Sequence, residues 1–183
     1  MVTTVSNLTI PACWIIFTVY WIANWRRVKR VAERENRSDT RGYRIILLLG
    51  LILLFSHLRY SPVTELLRAM AAAVCVLGLL VALWARRTLA DNWSGSVALK
   101  QGHELIQTGP YRFARHPIYT GILMMCFGTA LAGARLHCWL GFLLQCAGLW
   151  IKLTKEDSLM LRHFPDAYPA YRARVKAIIP FIV

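Results

Sequence analysis

The stretch Gly109-Pro110-Tyr111-Arg112-Phe113-Ala114-Arg115-His116-Pro117-Ile118-Tyr119-Thr120-Gly121 places two arginines, one histidine, two tyrosines and two prolines between oily segments. Pro110 and Pro117 interrupt regular structure, so this stretch cannot be one uninterrupted helix. Apolar sequence resumes directly after it and continues to Ala134. The Arg-His-Pro-Ile-Tyr unit therefore lies where a loop enters a membrane helix. Polar groups at such a boundary mark either an anchor or a functional site.

The composition of the chain predicts an integral membrane protein of one compact domain. Of its 183 residues 57% are apolar and 17% are charged, and a soluble domain of this size carries fewer apolar and more charged residues. Much of the net charge of +13 falls in short loops between apolar blocks, where it reports topology and contact with anionic membrane lipids. No module of interleaved aromatic and basic residues is visible, so we do not expect a nucleic acid partner.

The cysteines and histidines give no sign of a disulfide framework or a metal site. The five cysteines are odd in number, form no C-x-x-C motif and mostly lie inside apolar blocks, so they are expected to be small buried hydrophobic residues. His103 and His116 are thirteen residues apart, a spacing that fits no zinc-ligand pattern, and we expect no metal.

Five apolar blocks predict the fold class, an all-α integral membrane protein with about five transmembrane helices. Three of them form an N-terminal half, residues 1–85, at residues 8–25, 43–58 and 66–84. The first block lacks a basic leading region and a small-residue cleavage site, so it is interpreted as a retained span rather than a signal peptide. Small residues in the third block, an Ala69–Ala73 run and Gly78, predict close helix packing.

The second half of the chain, residues 86–183, is predicted to build a cofactor pocket. It begins with an irregular segment that contains short extended pieces and ends at Pro117. Two apolar blocks, at residues 118–134 and 138–153, then form a helical hairpin around a tight turn. An interfacial helix is predicted over residues 159–175, and an apolar tail, residues 178–183, docks on the membrane or on the fold. Gly128 and Ala132 offer a close-packing face in the first helix of this hairpin.

Loop charge predicts the orientation of the helices. The loops at residues 26–44, 86–117 and 152–176 are rich in lysine and arginine, whereas those at 59–65 and 135–137 are short and carry little charge. Basic loops stay in the cytoplasm, so the N-terminus is expected outside and the candidate site inside. The first of these basic loops is interpreted as solvated.

Lys152 and Glu156 form a second polar cluster, on the same predicted side of the membrane as Arg115 and His116. They are four residues apart and therefore share one helix face. An exposed ion pair of little energetic value is the ordinary interpretation. The functional alternative is that Glu156 faces a cationic ligand and Lys152 an anionic one, because charged groups are costly near membrane depth.

Several motifs together resemble the isoprenylcysteine carboxyl methyltransferase family. They are the Arg115–Tyr119 unit, Gly102-His103-Glu104-Leu105, Gly109-Pro110-Tyr111, and Glu156-Asp157 followed by Phe164-Pro165-Asp166-Ala167-Tyr168-Pro169-Ala170-Tyr171. The resemblance covers about residues 84–183, and the preceding spans match only in hydropathy.

The resemblance implies methyl transfer from S-adenosyl-L-methionine to a lipophilic small-molecule or prenylated substrate, with an isoprenylcysteine carboxylate as the first expectation. The residues that it assigns to the cofactor are His103, Leu105, Ile106, Tyr111, His116, Pro117, Ile118, Tyr119 and Glu156, with Ser96 as a weaker candidate. A carboxylate acceptor needs only a cation to hold it, which Lys152 or Arg115 could supply. An amine or thiol acceptor needs deprotonation, for which Glu156 is the nearest group. Two positions depart from the family pattern, since Lys152 stands where the family has arginine and Asp157 where it has a second glutamate.

Other functions stay open on the sequence alone. One is methylation of a phospholipid or another small molecule at nitrogen or sulfur within the same superfamily. A membrane reductase that uses NADPH is another, although the short chain and the form of the Arg-His-Pro-Ile-Tyr element argue against it. A non-enzymatic membrane partner protein is the third, against which the intact His116, Tyr119 and Glu156 argue. Binding of S-adenosylmethionine, of NADPH or of neither separates these classes.

Overall fold

The computed structural model describes residues 2–24, 31–34, 37–56, 63–93, 98–100, 102 and 104–180. Within these ranges the chain forms six α-helices: α1 (Val2–Ala23), α2 (Arg37–Phe55), α3 (Glu65–Leu89), α4 (Pro117–Gly133), α5 (Leu136–His163) and α6 (Ala167–Arg174). Two short strands, β1 (Val31–Arg34) and β2 (Ala98–Lys100), pair antiparallel. The predicted helical fold class is confirmed, and β2 is one of the extended pieces expected before Pro117.

The first basic loop is shorter than the sequence predicts. The prediction that residues 26–44 form a loop was wrong for its described parts, because β1 pairs with β2 and α2 begins at Arg37. Arg41 and Arg44 are exposed, in agreement with the predicted solvation. Thr40 and Tyr43 are buried, so this polar first part of α2 packs against the protein. Tyr43 contacts Leu159 of α5, and this contact explains why the helix extends beyond its apolar block.

The described helices match a membrane protein in length and surface. Helices α3 and α5 are long and apolar enough to cross a bilayer, and α4 and residues 8–23 of α1 are shorter apolar helices. Helix α2 exposes a row of large apolar side chains, Ile45, Leu48, Leu49 and Ile52. A soluble helix seldom presents such a row, whereas a lipid-facing helix does. The number of five spans stays a prediction.

Helices α3 and α4 approach each other at glycines. A Cβ atom on Gly121 would lie 2.5 Å from the carbonyl oxygen of Gly78, and one on Gly128 would lie 2.5 Å from that of Ala71. Only residues without a side chain permit this backbone contact. The small residues that the sequence singled out in the third and fourth apolar blocks therefore form a helix interface, as predicted.

Helix α2 packs on α5 in the same manner. A Cβ atom on Gly141 would lie 2.7 Å from the carbonyl oxygen of Gly50. The buried Gln145 donates its side-chain amide to the carbonyl of Leu47 at 2.7 Å. Because α3 packs on α4 and α2 on α5, helices of the two predicted halves interleave. The division of the chain at residues 85 and 86 stays a prediction.

The connection between α4 and α5 is a turn of two residues. Ala134 adopts a left-handed conformation with φ of 48°, and Arg135 caps α5. The two helices thus form the hairpin that the sequence predicts.

Helix α5 is longer than expected and changes the end of the fold. The sequence placed its end near Leu153 and a separate interfacial helix over residues 159–175, but α5 continues unbroken to His163. The expected helix was therefore wrong in its first turns, which belong to α5, and only α6 remains of it. Pro165 lies in the break between α5 and α6, and Pro169 lies in the first turn of α6, where a proline is tolerated.

Candidate active site

Residues 175–178, which we call the C-terminal strap, hold the loop that precedes α4. The backbone amides of Arg115 and His116 donate to the carbonyls of Lys176 and Ala177 at 2.8 and 2.9 Å. Ala114 and Lys176 form a parallel bridge, and the hydroxyl of Thr120 donates to the carbonyl of Ile178 at 2.7 Å. Because Ala177 and Ile178 are buried, this part of the apolar tail docks on the fold.

Pro117 opens α4 and places Tyr119 in its first turn, facing α5. A proline is favoured at this first position, since its missing N–H would lack a partner in the helix in any case. The hydroxyl of Tyr119 lies 2.7 Å from both carboxylate oxygens of Glu156 on α5. Tyr119 is buried, so the contact fixes one face of the carboxylate from inside the protein.

Asp157, the residue after Glu156, accepts three hydrogen bonds on another side of α5. Arg115 donates through Nη2 to Oδ2 at 2.8 Å, His116 Nε2 lies 2.8 Å from Oδ1, and the hydroxyl of Tyr168 donates to the same Oδ1. The side chains of Arg115 and Asp157 are only 8% and 7% exposed. A buried ion pair of this kind is maintained by the hydrogen bonds around it.

His116 joins the two carboxylates. While its Nε2 contacts Asp157, its Nδ1 lies 3.6 Å from Oε2 of Glu156. Its ring stacks on that of Tyr119, with centroids 5.5 Å apart and planes inclined by 5°. The contact to Asp157 and the stacking together leave the imidazole little freedom to rotate.

Lys152 lies next to Tyr119 and Glu156. Its Nζ is 5.1 Å from the centre of the Tyr119 ring and 3.9 Å from Oε1 of Glu156. The first distance is within the range of a cation–π contact. Lys152 and Glu156 are therefore parts of a half-buried cluster rather than the exposed pair that the ordinary interpretation assumed.

Apolar and aromatic side chains surround this polar cluster. Tyr111, Ile118 and Tyr119 belong to one buried cluster with Trp93, Leu149 and Leu153, and Ile106 packs against it. Leu105, by contrast, packs against Tyr168, Tyr171 and Val175. The two neighbours Leu105 and Ile106 thus contact different groups.

Two tyrosines of α6 support the site as neutral donors. The hydroxyl of Tyr171 donates to the carbonyl of Tyr111 at 2.6 Å. Burial raises the pKa of Tyr171 to about 12, and burial together with the nearby Asp157 charge raises the pKa of Tyr168 as well. Both phenols therefore keep their protons at neutral pH and donate to the groups that they hold.

The structure brings most of the predicted site residues together. Lys152, His116, Tyr119 and Glu156 are in direct contact, and Arg115 joins them through Asp157. Pro117 and Ile118 are buried beside them. His103 and Ser96 lie outside the described residues, so their assignment stays a prediction.

The sequence analysis did not identify the residues that hold the site in place through hydrogen bonds. It gave no role to Tyr168, Tyr171 or Thr120, although each makes a hydrogen bond that fixes the site. The eleven-residue separation of Tyr168 from Asp157 crosses the break between α5 and α6, and no helical spacing signals it. The aromatic-rich stretch after Glu156 was the feature of the sequence that could have indicated these supporting residues.

Within the described part of the chain, no three His, Cys, Asp or Glu side chains are arranged to hold a metal ion. The geometry of the site combines two cations, two carboxylates and an imidazole. Such a cluster can bind a polar molecule and orient it, and it can accept a proton.

Comparison with known proteins relates this site to a family. The family model described as phospholipid methyltransferase matches residues 66–167, more than half of the chain. The chain is 29% identical over 129 residues to the Saccharomyces cerevisiae protein-S-isoprenylcysteine O-methyltransferase, a match that covers 67% of this chain and 53% of that protein.

Relatives of the same printed name in two other organisms also match. The Schizosaccharomyces pombe protein is 32% identical over 98 residues, with 50% of this chain and 40% of that protein covered. The Homo sapiens protein is 31% identical over 81 residues, with 44% and 28% covered. The chain thus spans about half of these relatives or less. The predicted resemblance is confirmed, and the chain belongs to the phospholipid methyltransferase family, with isoprenylcysteine O-methyltransferases among its relatives.

Proposed function

We propose that this protein transfers a methyl group from S-adenosyl-L-methionine to a lipophilic acceptor at the cytoplasmic face of a membrane. The observation that carries the proposal is the contact of Tyr119 with Glu156, beside His116 and Lys152, in a chain of a methyltransferase family. The five spans and the outside N-terminus are part of the same proposal, because they place this cluster in the cytoplasm.

The residues at the site fit the cofactor. S-adenosylmethionine, when bound, supplies a methyl group activated by its positively charged sulfur. Its amino-acid part carries an ammonium group, for which the Glu156 carboxylate is a partner of opposite charge. Tyr111, Ile118 and Ile106 offer aromatic and apolar surface to the remaining parts. Leu105 and His103 contribute in this proposal from the loop that precedes Tyr111.

A carboxylate of an isoprenylcysteine-like molecule is the acceptor that we propose first. Such a carboxylate is already a nucleophile, so the site has only to align it with the methyl group for in-line displacement. Lys152, at the membrane-embedded helix α5, is placed to hold that anion. Arg115 is less suited to this task than the sequence suggested, because its terminal nitrogens donate to Asp157 and to the carbonyls of Val175 and Arg172.

The description of the matching family favours one second candidate, methylation of a phospholipid amine. A protonated amine has no free electron pair and must lose a proton before it can accept a methyl group. Glu156 is the carboxylate in the cluster that is placed to take this proton, and it is 20% exposed. The two candidates therefore assign different work to Glu156 and Lys152.

A transfer assay with methyl-labelled S-adenosylmethionine separates the candidates. The purified protein is supplied with an S-farnesylcysteine derivative, with its carboxamide as the matched control, or with phosphatidylethanolamine. We expect label in the farnesylcysteine product and none in the carboxamide. Label in phosphatidylethanolamine alone would refute the carboxylate candidate and support the phospholipid candidate. Reduction by NADPH without methyl transfer would refute both in favour of a reductase.

A further inference from the structure

One polar group of α2, the hydroxyl of Tyr43, is buried inside the protein. Only 3% of the surface of Tyr43 is exposed. The hydroxyl oxygen finds no hydrogen-bond partner among the residues that the structure describes. A phenol can donate one hydrogen bond, and a buried polar group that makes none is unfavourable. This hydroxyl is therefore a candidate to pair with a molecule that binds to the protein.

The packing of α2 on α5 brings Tyr43 to the part of α5 that carries the candidate active site. Leu47 of α2 lies against Gly148 of α5. Tyr43, one turn nearer the start of α2, forms a buried cluster with Leu159, further along α5. The two helices therefore run in opposite directions, and Lys152 lies between these two contacts.

Tyr119 connects Tyr43 to the polar cluster. Tyr43 lies near enough to the hydroxyl of Tyr119 to interact with it electrostatically. The ring of Tyr119 also has Nζ of Lys152 at 5.1 Å from its centre. The phenol of Tyr43 and the ammonium of Lys152 are thus two hydrogen-bond donors that lie around the same tyrosine.

Lys152 by itself is an incomplete partner for a carboxylate. A carboxylate has two oxygens, and an arginine fork binds both of them, whereas a lysine ammonium is a point charge. The family that the chain resembles has arginine at this position, so its replacement by Lys152 leaves one oxygen to be held by another donor. A neutral phenol supplies that donor without adding a charge to the cluster.

We propose that Tyr43 is a specificity-determining residue for the methyl acceptor, whose carboxylate receives a hydrogen bond from the Tyr43 hydroxyl while Lys152 holds its charge. The proposal rests on the proposed function, because it adds a residue to the acceptor site of that reaction. Tyr43 lies outside residues 66–167, the part of the chain that matches the family model. The family and the relatives are named for different acceptors, a phospholipid and an isoprenylcysteine, so a residue outside the shared part is suited to acceptor choice.

The stability of Tyr43→Phe tests whether the hydroxyl is unpaired before a ligand binds. Phenylalanine keeps the ring in its cluster with Leu159 and removes only the hydroxyl. We expect an unchanged or raised unfolding midpoint in detergent, since the free protein loses no hydrogen bond. Tyr168→Phe is the contrast, because it loses the hydrogen bond to Asp157, and its midpoint should fall. An equal fall for Tyr43→Phe would show a partner within the protein and would overturn the proposal.

Acceptor kinetics test the contact with the carboxylate. The wild type, Tyr43→Phe and the control Tyr20→Phe, at a partly buried tyrosine of α1, are assayed with the S-farnesylcysteine derivative. We expect Tyr43→Phe to lower kcat/KM for this acceptor about tenfold or more, as loss of a hydrogen bond to a charged group does, and Tyr20→Phe to leave it unchanged. The affinity of Tyr43→Phe for S-adenosylhomocysteine, measured by calorimetry, should equal that of the wild type. An unchanged kcat/KM would overturn the proposal, and so would an equal loss of S-adenosylhomocysteine affinity, which would assign the hydroxyl to the cofactor.

Lys152→Arg tests whether the hydroxyl supplies what lysine lacks. An arginine fork can hold both carboxylate oxygens, so we expect Tyr43→Phe to lower kcat/KM by less than about threefold in this background. The same loss in both backgrounds would show that Tyr43 acts independently of the carboxylate, and would overturn the proposal. A folded wild type that methylates none of the acceptors would overturn the proposed function instead. Methyl transfer to phosphatidylethanolamine alone would leave the methyltransferase function standing and overturn the role of Tyr43.

Discussion

The hydroxyl group of Tyr119 lies 2.7 Å from each of the two carboxylate oxygens of Glu156. The two residues belong to neighbouring helices, α4 and α5, and are 37 positions apart in the chain. A hydroxyl that lies equally close to both oxygens restricts the orientation of the carboxylate. Glu156 is thus oriented before any ligand arrives, which lowers the entropy lost on binding.

Tyr119→Phe removes this hydrogen bond and keeps the ring that contacts Lys152 and His116. A hydrogen bond to a charged group is worth about 1.5–3 kcal/mol, so we expect S-adenosylhomocysteine to bind about tenfold or more weakly. The thermal unfolding midpoint should change little, because the phenyl ring fills the same space. Wild-type affinity in this variant, measured by calorimetry, would show that Glu156 needs no such support.

Asp157→Asn leaves the buried guanidinium of Arg115 without its ionic partner. Removal of one member of a buried ion pair costs about 3–5 kcal/mol, and we expect a large fall in the unfolding midpoint by circular dichroism in detergent. Glu65→Gln is the control, since Glu65 and Arg68 form an ion pair at 3.9 Å in which the Glu65 side chain is exposed, and such pairs contribute about 0–1 kcal/mol. Similar midpoints for both variants would mean that Asp157 does not stabilise the fold.

Lys152 distinguishes a carboxylate acceptor from other acceptors. We expect Lys152→Arg to keep more methyl transfer than Lys152→Ala, because arginine preserves the charge and can hold a carboxylate. Lys155→Ala, three residues further along α5, is the control and should retain activity. Equal rates for the arginine and alanine variants would remove Lys152 from the mechanism.

The contact of α3 with α4 depends on the absence of a side chain at Gly121. Gly121→Ala would place a methyl group 2.5 Å from the carbonyl oxygen of Gly78, and overpacking of this kind costs about 1–3 kcal/mol. Gly42→Ala in α2 meets no atom within 4 Å and replaces a poor helix former by a good one. We expect a lowered unfolding midpoint for the first variant and an unchanged or raised one for the second. The reverse order would contradict the helix pairing described here.

The sequence predicted the features that depend on local pattern. Apolar blocks indicated the helices, and small residues at Gly78 and Gly128 indicated a close interface, because lipid-facing helices approach only where side chains are small. The motif around His116 and Glu156 indicated which residues share a site. In each case the physical cause lies within a few neighbouring residues or in a recognisable motif.

Features that depend on distant contacts could not be predicted in this way. Helix α5 continues past its apolar block because its last turns pack against Tyr43 of α2 and against α6. The anchoring of Arg115 by Asp157 and the carbonyl of Val175 joins three separated segments. Arg115 consequently looked available to a ligand in the sequence, whereas the structure shows it occupied by the protein itself.

Calorimetric titration of the detergent-purified protein with S-adenosylhomocysteine tests the central claim most directly. We predict saturable binding by the wild type and by the control Glu65→Gln, and a loss of binding in Glu156→Gln, which cannot offer a charged partner to the ligand. Equal binding by the wild type and Glu156→Gln would contradict the proposed site. Absence of binding to a folded wild-type protein would contradict the proposed function, and binding of NADPH in its place would identify a reductase.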